Sequence, residues 1–154
     1  MVMRNFNMDC SDPNLFLCID GIPTPLKRHR SCILNNRVHS YDSQKEAKKT
    51  ALKCVQRQIP DGFQMFNEPL EMLIEFHMPI PQSLSQKKKL QLQEVPHDKK
   101  PDLSNLIKFV EDTFNGIIYK DDSQIVNIHA SKLYSSEPKT IVCFRPYVVE
   151  KKVI

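Results

Sequence analysis

The sequence contains only three glycines in 154 residues, so it has no glycine-rich loop of the kind that holds nucleotide phosphates. Nucleotide hydrolysis and a bound nucleotide cofactor are therefore not expected. No apolar run approaches the roughly 18 residues that a membrane-spanning helix needs. The N-terminal residues also lack the apolar centre of a secretory signal peptide. These absences predict a protein with no membrane partner.

Cysteine is scarce and follows no pattern. The five cysteines lie at positions 10, 18, 32, 54 and 143, and no two of them form a Cys-x-x-Cys pair. A zinc site and a disulfide framework are therefore both disfavoured. Free thiols are typical of a reducing compartment, so the sequence predicts a cytoplasmic protein.

Tryptophan is absent, and aromatic residues make up only 8% of the chain, which disfavours recognition by stacking on bases. The net charge of +4, from 22 basic and 18 acidic residues, is too small to identify a nucleic-acid binder. Basic side chains nevertheless cluster, and the candidates for phosphate contacts are Lys27, Arg28, Arg30, Lys87, Lys88, Lys89 and Lys100. Such clusters are typical either of a solvated surface or of one that binds a nucleic-acid backbone by charge and shape.

The chain length and a hydrophobic content of 40% predict one domain over residues 1–154 with its own core. Alternating apolar residues predict a strand at 70–78, and shorter strands are predicted at 15–19, 38–41, 124–132 and 140–147. A capping-box pattern at Ser43 and Glu46 opens a predicted helix over 43–58, and a second main helix is predicted over 103–114. This mixture predicts an α/β (α+β) fold, with a mixed sheet packed on one face by two helices.

Two basic segments are predicted to be loops. Residues 22–30 contain two prolines among basic residues. Residues 82–100 are rich in lysine and poor in apolar side chains, so we predict a basic loop or flap, within which 83–94 could form a polar helix.

The acidic site segment, 101–125, carries the clearest chemical signal. Asp102 stands directly before the second predicted helix, which Gly116 should end as a C-cap glycine. The helix descends about 16 Å, and a strand predicted at 117–120 would climb back by a similar length. We therefore expect the next two residues, Asp121 and Asp122, to return to the level of Asp102. Carboxylates gathered in this way, in a basic protein, suggest Mg²⁺-dependent chemistry on a phosphate backbone.

Each candidate also has a purely structural interpretation. Asp102 could be a helix N-cap, and the Asp121–Asp122 pair could be a turn before a strand. Lys108 could lie on a solvated helix face or near a scissile phosphate, and Asn105 could orient an acid or cap the helix. Asp112 is left out of the proposed metal site because it lies about 15 Å along the helix from Asp102.

The two acidic blocks resemble the signature of the RusA family of Holliday junction resolvases. That signature is roughly Lys-Pro-Asp-x-Asp-Asn-Leu-x-Lys, followed by Asn-Gly and then by Asp-Asp-x-Gln-[Val/Ile]. The residues in register are Lys100, Pro101, Asp102, Asn105, Leu106, Lys108, Asn115, Gly116, Asp121, Asp122, Gln124 and Ile125. The segment from Ile22 to Arg28 also resembles the family's early proline-and-basic entry. An ordered set with fixed gaps is far more specific than a lone acidic pair.

The resemblance implies a phage or bacterial endonuclease that works as a homodimer on four-way or branched DNA. It implies that Asp102 and Asp122 bind Mg²⁺, with Mn²⁺ as an alternative metal and Asp121 as a further ligand. It also implies that Lys108 stabilises the charged transition state. One position departs from the pattern: the family usually has a second Asp where this chain has Ser104.

The departure at Ser104 leaves three hypotheses open. The first is an active resolvase that makes paired cuts in DNA recombination and repair. The second is a junction- or branched-DNA-binding protein with weakened cleavage, because a hydroxyl is a poorer Mg²⁺ ligand than a carboxylate. The third is a non-catalytic adaptor that binds protein through its acidic turn and basic loop.

Overall fold

The computed structural model describes residues 15–27, 30–34, 37–41 and 43–148, with side chains described in 15–27 and 43–148. In chain order the elements are β1 (Leu15–Asp20), β2 (Arg30–Leu34), β3 (Arg37–Tyr41), α1 (Lys45–Gln56), β4 (Leu70–Pro79), α2 (Gln86–Leu92), α3 (Leu103–Phe114), β5 (Ile125–Ser135) and β6 (Lys139–Pro146). A single 3-10 turn, Asp122–Gln124, leads into β5. None of the helices described here is long and apolar enough to cross a membrane.

The four-stranded main sheet has the order β1-β6-β4-β5 and mixed strand directions. β6 runs antiparallel to both β1 and β4, whereas β5 runs parallel to β4. Parallel neighbours need a long crossover connection, and residues 80–124 supply it, carrying α2 and α3 on the way. β2 and β3 form a separate antiparallel pair. The acidic site segment therefore belongs to the crossover between the two parallel strands.

The main core lies between one face of this sheet and the apolar faces of α1 and α3. β4 contributes a row of buried side chains, including Met72, Ile74 and Phe76, because alternate residues of a strand share a face. α3 contributes Leu106, Val110 and Phe114, which lie on one face of the helix. Buried residues of β1 and β6 belong to the same core. The ring of Phe114 meets Phe144 edge-on, at 5.8 Å between centroids. This packing fixes α3, and with it the positions of the acids at its two ends.

The opposite face of the sheet is partly polar. Glu71 is 7% exposed and accepts from Arg145 Nε at 2.5 Å and from Asn127 Nδ2 at 2.8 Å. A smaller apolar cluster of Leu73, Ile141 and Cys143 lies beside this ion pair on the same face. A buried carboxylate is tolerated there because its oxygens are paired. Both faces of β4 are therefore buried, rather than the single face expected from the sequence.

The structure confirms the mixed α+β domain and the main elements expected from the sequence. α3 has the predicted bounds, and Gly116 follows it with φ at +75°. Three details were wrong. The first helix begins at Lys45 after Gln44, whose side chain makes no cap hydrogen bond, so Ser43 is not its N-cap. The predicted loop over 22–30 gives way to β2 at its last residue. The third error, at 117–120, concerns the site.

Candidate functional site

Asp102 occupies the N-cap position of α3, but its carboxylate does not cap the helix. Its extended backbone, with φ at −68° and ψ at 139°, lets the carbonyl oxygen accept from Asn105 N and Leu106 N. No helix N–H bonds to the side chain, which is exposed and has no hydrogen bond or ion pair among the described residues. The N-cap interpretation is therefore correct for the backbone alone. The carboxylate remains available to a ligand.

The chain that leads to Asp102 is attached to the middle of β5. His97 N donates to Lys132 O at 2.9 Å, and the His97 ring packs on Tyr134 with centroids 4.4 Å apart. Burial and then the charge of Lys132 lower the pKa of His97. The predicted basic loop therefore contains α2 and a segment, around Pro96, that pairs with Leu133 at the sheet edge.

The early loop meets the first turn of α3. Leu26 N donates to Asn105 O at 2.7 Å. The side chain of Gln44, before α1, holds the same loop, since it accepts from Lys27 N at 2.5 Å and donates to Pro25 O at 2.9 Å. These contacts place exposed Lys27 next to the start of α3, where Asp102 lies. The sequence had identified Lys27 and Asn105 separately, and the structure bonds Leu26, the neighbour of Lys27, to Asn105.

Ser104 and Lys108 follow Asp102 on the exposed side of α3. Both side chains are exposed, whereas Asn105 is half-buried beneath the early loop. Ser104 and Lys108 are one helical turn apart, so they lie on the same face. Glu111 continues this face one turn further and is half-buried. The stripe therefore begins with a hydroxyl, continues with an ammonium and ends with a carboxylate.

Asp121 and Gln124 have a structural task in the signature Asp-Asp-x-Gln. Asp121 caps the 3-10 turn, because its carboxylate accepts from Ser123 N at 2.9 Å. Hydrogen bonding to the side chain and then to the main chain of Ser123 lowers the pKa of Asp121. Gln124 accepts from Asp121 N at 3.0 Å and donates to Phe66 O at 2.9 Å. The pair forms a capping box that ties the turn to the chain before β4. Asp122 is the exposed acid that this arrangement presents.

Asp122 lies near the last turns of α3. Burial, followed by the charges of Asp122 and Asp112, raises the pKa of Glu111, while Lys108 opposes the shift. The buried Tyr119 hydroxyl donates to Glu111 O at 2.9 Å, and burial and then the charges of Glu111 and Asp122 raise its pKa. Tyr119 is three residues before Asp122, so its bond to Glu111 places Asp122 close to the Glu111 end of the helix.

The predicted strand at 117–120 is wrong, and so is the geometry that rested on it. Gly116 N donates to Tyr119 O at 2.8 Å in a tight turn. Within residues 117–120, Tyr119 alone makes isolated β-bridges, to Phe66 and to Asn115. No strand climbs back along α3 from this turn. Asp122 lies just before the start of β5, whereas Lys132, in the second half of that strand, bonds to the residue before Asp102, so the two acids lie apart.

The described carboxylates of one chain do not form a complete metal site. In residues 15–27 and 43–148 no group of three or more His, Cys, Asp or Glu side chains is arranged to hold a metal ion. Asp102 is exposed at one end of α3, and Asp122 is exposed near the other. Mg²⁺ prefers several charged oxygen donors at fixed octahedral positions, and this arrangement does not supply them from one chain.

The other basic candidates lie on α2, shortly before Asp102, and at the start of β2 or just before it in the chain. Lys87 and Lys88 are exposed on α2, which has no buried residue, and Lys89 of the same helix donates to Gln82 Oε1 at 3.3 Å. Lys100 is exposed, two residues before Asp102. Arg28 lies outside the described residues, and Arg30 begins β2 with its side chain outside the described part. Besides Lys27 in the early loop, the exposed basic candidates therefore lie on α2 and in the chain that leads to Asp102.

Sequence reasoning missed two residues of this region. Glu111 was not among the candidate residues, and only its spacing from Lys108 could have indicated its place beside Asp122. Lys132 was an unremarked residue of a predicted strand, and its Nζ donates to Lys99 O at 2.5 Å and to Pro101 O at 2.7 Å. No local sequence pattern predicts such a contact, because it depends on how β5 packs beside the start of α3.

Comparison with known proteins defines the class to which this fold belongs. The model of the endodeoxyribonuclease RusA family matches residues 20–145, so the chain belongs to the RusA family, a family of Holliday junction resolvases. The protein YqaN of Bacillus subtilis (strain 168), itself described as uncharacterized, is 34% identical over 144 residues. The matched region covers 90% of this chain and 97% of YqaN.

Proposed function

We propose that this protein is a Mg²⁺-dependent, structure-selective endonuclease that resolves Holliday junctions by paired phosphodiester cleavage, in DNA recombination and repair. Membership of the RusA family supports the class of reaction. The observation that carries the proposal is the exposed carboxylate of Asp102, held at the start of a buried helix with no described partner. A carboxylate fixed in this way is suited to bind a cation at the DNA backbone. Such an enzyme, of bacterial or phage origin, would act in the cytoplasm.

Asp102 and Asp122 are the proposed metal ligands, and Mn²⁺ is the alternative metal. A divalent ion would supply water activation and charge neutralisation at the phosphate. Because Asp102 and Asp122 lie at opposite ends of α3 in one chain, they would share an ion only if each came from a different copy in a dimer, and DNA phosphate oxygens would supply further donors. Asp121 is a weaker candidate than Asp102 or Asp122, since its carboxylate already caps a turn.

The lysines have two proposed roles. Lys108 is exposed on the same helix face as Ser104, and we assign it to stabilisation of the charged phosphate in the transition state. Lys27 and Lys100 lie on chain segments that meet the start of α3, and we assign them to phosphate contacts near Asp102. The exposed lysines of α2 would contact the backbone of another part of the junction.

A homodimer is part of this proposal. Two cuts related by two-fold symmetry need two sites related in the same way. Sedimentation with and without junction DNA tests this part. We expect a dimer at micromolar concentration, and a monomer under both conditions would contradict the proposed architecture.

A second candidate function is branched-DNA binding with weakened cleavage. Two observations favour it: Ser104 replaces the family's usual second acid, and the described residues of one chain contain no three-carboxylate group. The adaptor hypothesis has no comparable support in the structure. Failure to bind any branched DNA at low salt would favour it over both DNA-binding alternatives.

The decisive experiment is cleavage of a four-way junction with Mg²⁺ or Mn²⁺, beside the variant Asp102→Asn. Asn is as good an N-cap residue as Asp, so this variant should keep the fold while it loses the charge. We expect paired symmetric cuts in the junction, much weaker cutting of a linear duplex, and none by Asp102→Asn. Tight junction binding without cuts would establish the second candidate instead.

A further inference from the structure

The side chain of Lys132 bonds to the main chain immediately before Asp102. Its Nζ donates to Lys99 O at 2.5 Å and to Pro101 O at 2.7 Å. The two carbonyl groups lie on either side of Lys100, and Pro101 is the residue directly before Asp102. Lys132 itself is fixed within β5, where it is paired with Phe76 of the central strand β4.

The other described contacts of this stretch are local, since the ring of His97 lies against the main chain of Lys99. Main-chain bonds hold the segment only as far as His97, whose N–H donates to Lys132 O at 2.9 Å. From residue 98 to residue 101, the bonds from Lys132 Nζ are the only hydrogen bonds to the sheet among the described residues. Lys99 does bond to its neighbour Asp98, at 3.6 Å, but both of these side chains are exposed. Among the described contacts of residues 98–101, the ammonium of Lys132 is therefore the one that bonds directly from β5 to the main chain before Asp102.

The charge of Lys132 is not needed for a purely structural contact. A neutral amide could bond a carbonyl without the cost of partly burying a charge. Lys132 is half-buried, and it has no ion pair with any described carboxylate. Its ammonium has three donors and uses two of them, so one remains directed away from the carbonyls. The charge instead strengthens the hold on the two carbonyl groups, because charge-assisted hydrogen bonds are stronger than neutral ones.

We propose that Lys132 is a positioning residue for Asp102. Its ammonium holds the carbonyls of Lys99 and Pro101, and this contact keeps the carboxylate of Asp102 in one place at the start of α3. The expected effect on cleavage rests on the proposed function, whereas the expected effect on the position of residues 99–102 does not. Lys132 acts through Asp102 and does not itself contact the reacting atoms.

The variant Lys132→Met tests the proposal, because it keeps the length of the side chain and removes its charge and donors. Lys139→Met is the matched control: Lys139 is also a half-buried strand lysine, but it pairs with Glu137 at 3.4 Å on β6. Backbone ¹⁵N order parameters of Lys99, Lys100 and Asp102 report the position of the segment. In Lys132→Met we expect them to fall from about 0.85 towards 0.6, and in Lys139→Met to stay unchanged.

Cleavage kinetics supply the second readout. In Lys132→Met we expect the rate at saturating enzyme to fall about 10- to 100-fold, the size typical for loss of a group that orients a ligand. The junction dissociation constant without divalent metal should stay within about two-fold of wild type, because the lysines proposed to contact phosphate are unchanged. Lys139→Met should change neither quantity.

The outcomes separate this inference from the proposed function. Unchanged order parameters in Lys132→Met would overturn it, and so would lower order with an unchanged cleavage rate. Equal losses of cleavage and binding, with a lower melting temperature, would show a merely structural role and also overturn it. If the wild-type protein binds junctions without cutting them, the proposed function fails, while the order parameters still decide whether Lys132 positions Asp102.

Discussion

Gln58 bonds to both main-chain groups of Cys18 on the outer edge of the main sheet. Its side-chain carbonyl accepts from Cys18 N at 2.8 Å, and its amide donates to Cys18 O at 2.7 Å. β1 is an edge strand, and unpaired edge groups invite pairing with another chain. One side chain, just beyond the end of α1, thus takes the place of a neighbouring strand at this point.

Gln58→Ala should destabilise the protein by about 0.5–1.5 kcal/mol, because two main-chain hydrogen bonds are lost to solvent. Urea unfolding measures the change, and Gln56→Ala is the control, since Gln56 is an exposed residue at the end of α1. We also expect Gln58→Ala to aggregate more readily at high concentration. Equal stability of the two variants would show that the Gln58 contact contributes nothing.

Ser104→Asp should increase cleavage at limiting Mg²⁺. We expect the Mg²⁺ concentration for half-maximal rate to fall about 10-fold, because the number of charged ligands strongly sets the affinity of a metal site. The change should not harm folding, since an acid in the first turn favours the helix by about 0.3–1 kcal/mol.

Ser104→Asn separates charge from size in this experiment, and it should behave like wild type. If Ser104→Asp leaves both the rate and the Mg²⁺ dependence unchanged, the site does not depend on this position. A large gain would instead show that the natural chain carries a weakened form of the family's metal site.

Asp122→Asn should lower the pKa of Glu111 towards its ordinary value of 4.5, because the charge of Asp122 is one cause of the raised pKa. A ¹³C titration of the Glu111 carboxyl, followed by NMR without divalent metal, measures this directly. Asp61→Asn is the control, since Asp61 is exposed in the turn after α1. An unchanged Glu111 titration would mean that Asp122 is not its neighbour in solution.

The same variant should change how stability depends on pH. A raised carboxyl pKa favours the folded state while Glu111 is protonated, so this contribution is complete below the unfolded pKa. It is lost as the pH rises through the folded pKa. Asp122→Asn should therefore lose less stability than wild type between pH 4 and pH 7. Urea unfolding at the two pH values makes the comparison.

Gly116→Ala should cost about 1–2 kcal/mol of stability through backbone strain alone. The φ angle of Gly116 is +75°, and a Cβ added there would meet no atom within 4 Å. Gly116→Asn should cost less, because Asn adopts the left-handed conformation more readily. Urea unfolding ranks the three proteins, and an alanine variant as stable as wild type would exclude strain as the reason for glycine in the Asn-Gly signature.

The sequence was most informative where one element carries a long periodic pattern. α3 was predicted with its observed bounds because five apolar residues repeat at helical spacing and a glycine follows. The strand at 70–78 was clear for the same reason, although Glu71 was not expected to be buried. Its burial depends on Arg145 and Asn127, which come from two other strands, and no local pattern reveals such partners.

The sequence was misleading at 117–120 because a short apolar run does not define its own structure. Ile118 and Tyr119 resemble a strand, yet they are fully buried within a single turn, where Tyr119 packs against Phe144. The relative positions of Asp102 and Asp122 depended on that run. Spacing along a chain sets only an upper limit on the distance between two side chains, so their separation to opposite ends of α3 could not be predicted.

The parallel pairing of β4 with β5 has a consequence for how this domain can change during evolution. Asp102, Asp122 and α3 all lie within the single connection between these two strands. A deletion or insertion between Gln93 and Gln124 would therefore change the part of the chain that carries the acids. A length change around α2, which buries no residue, would not. Within this connection, the length around α2 can therefore vary, while the part from α3 to the start of β5 has to keep its length.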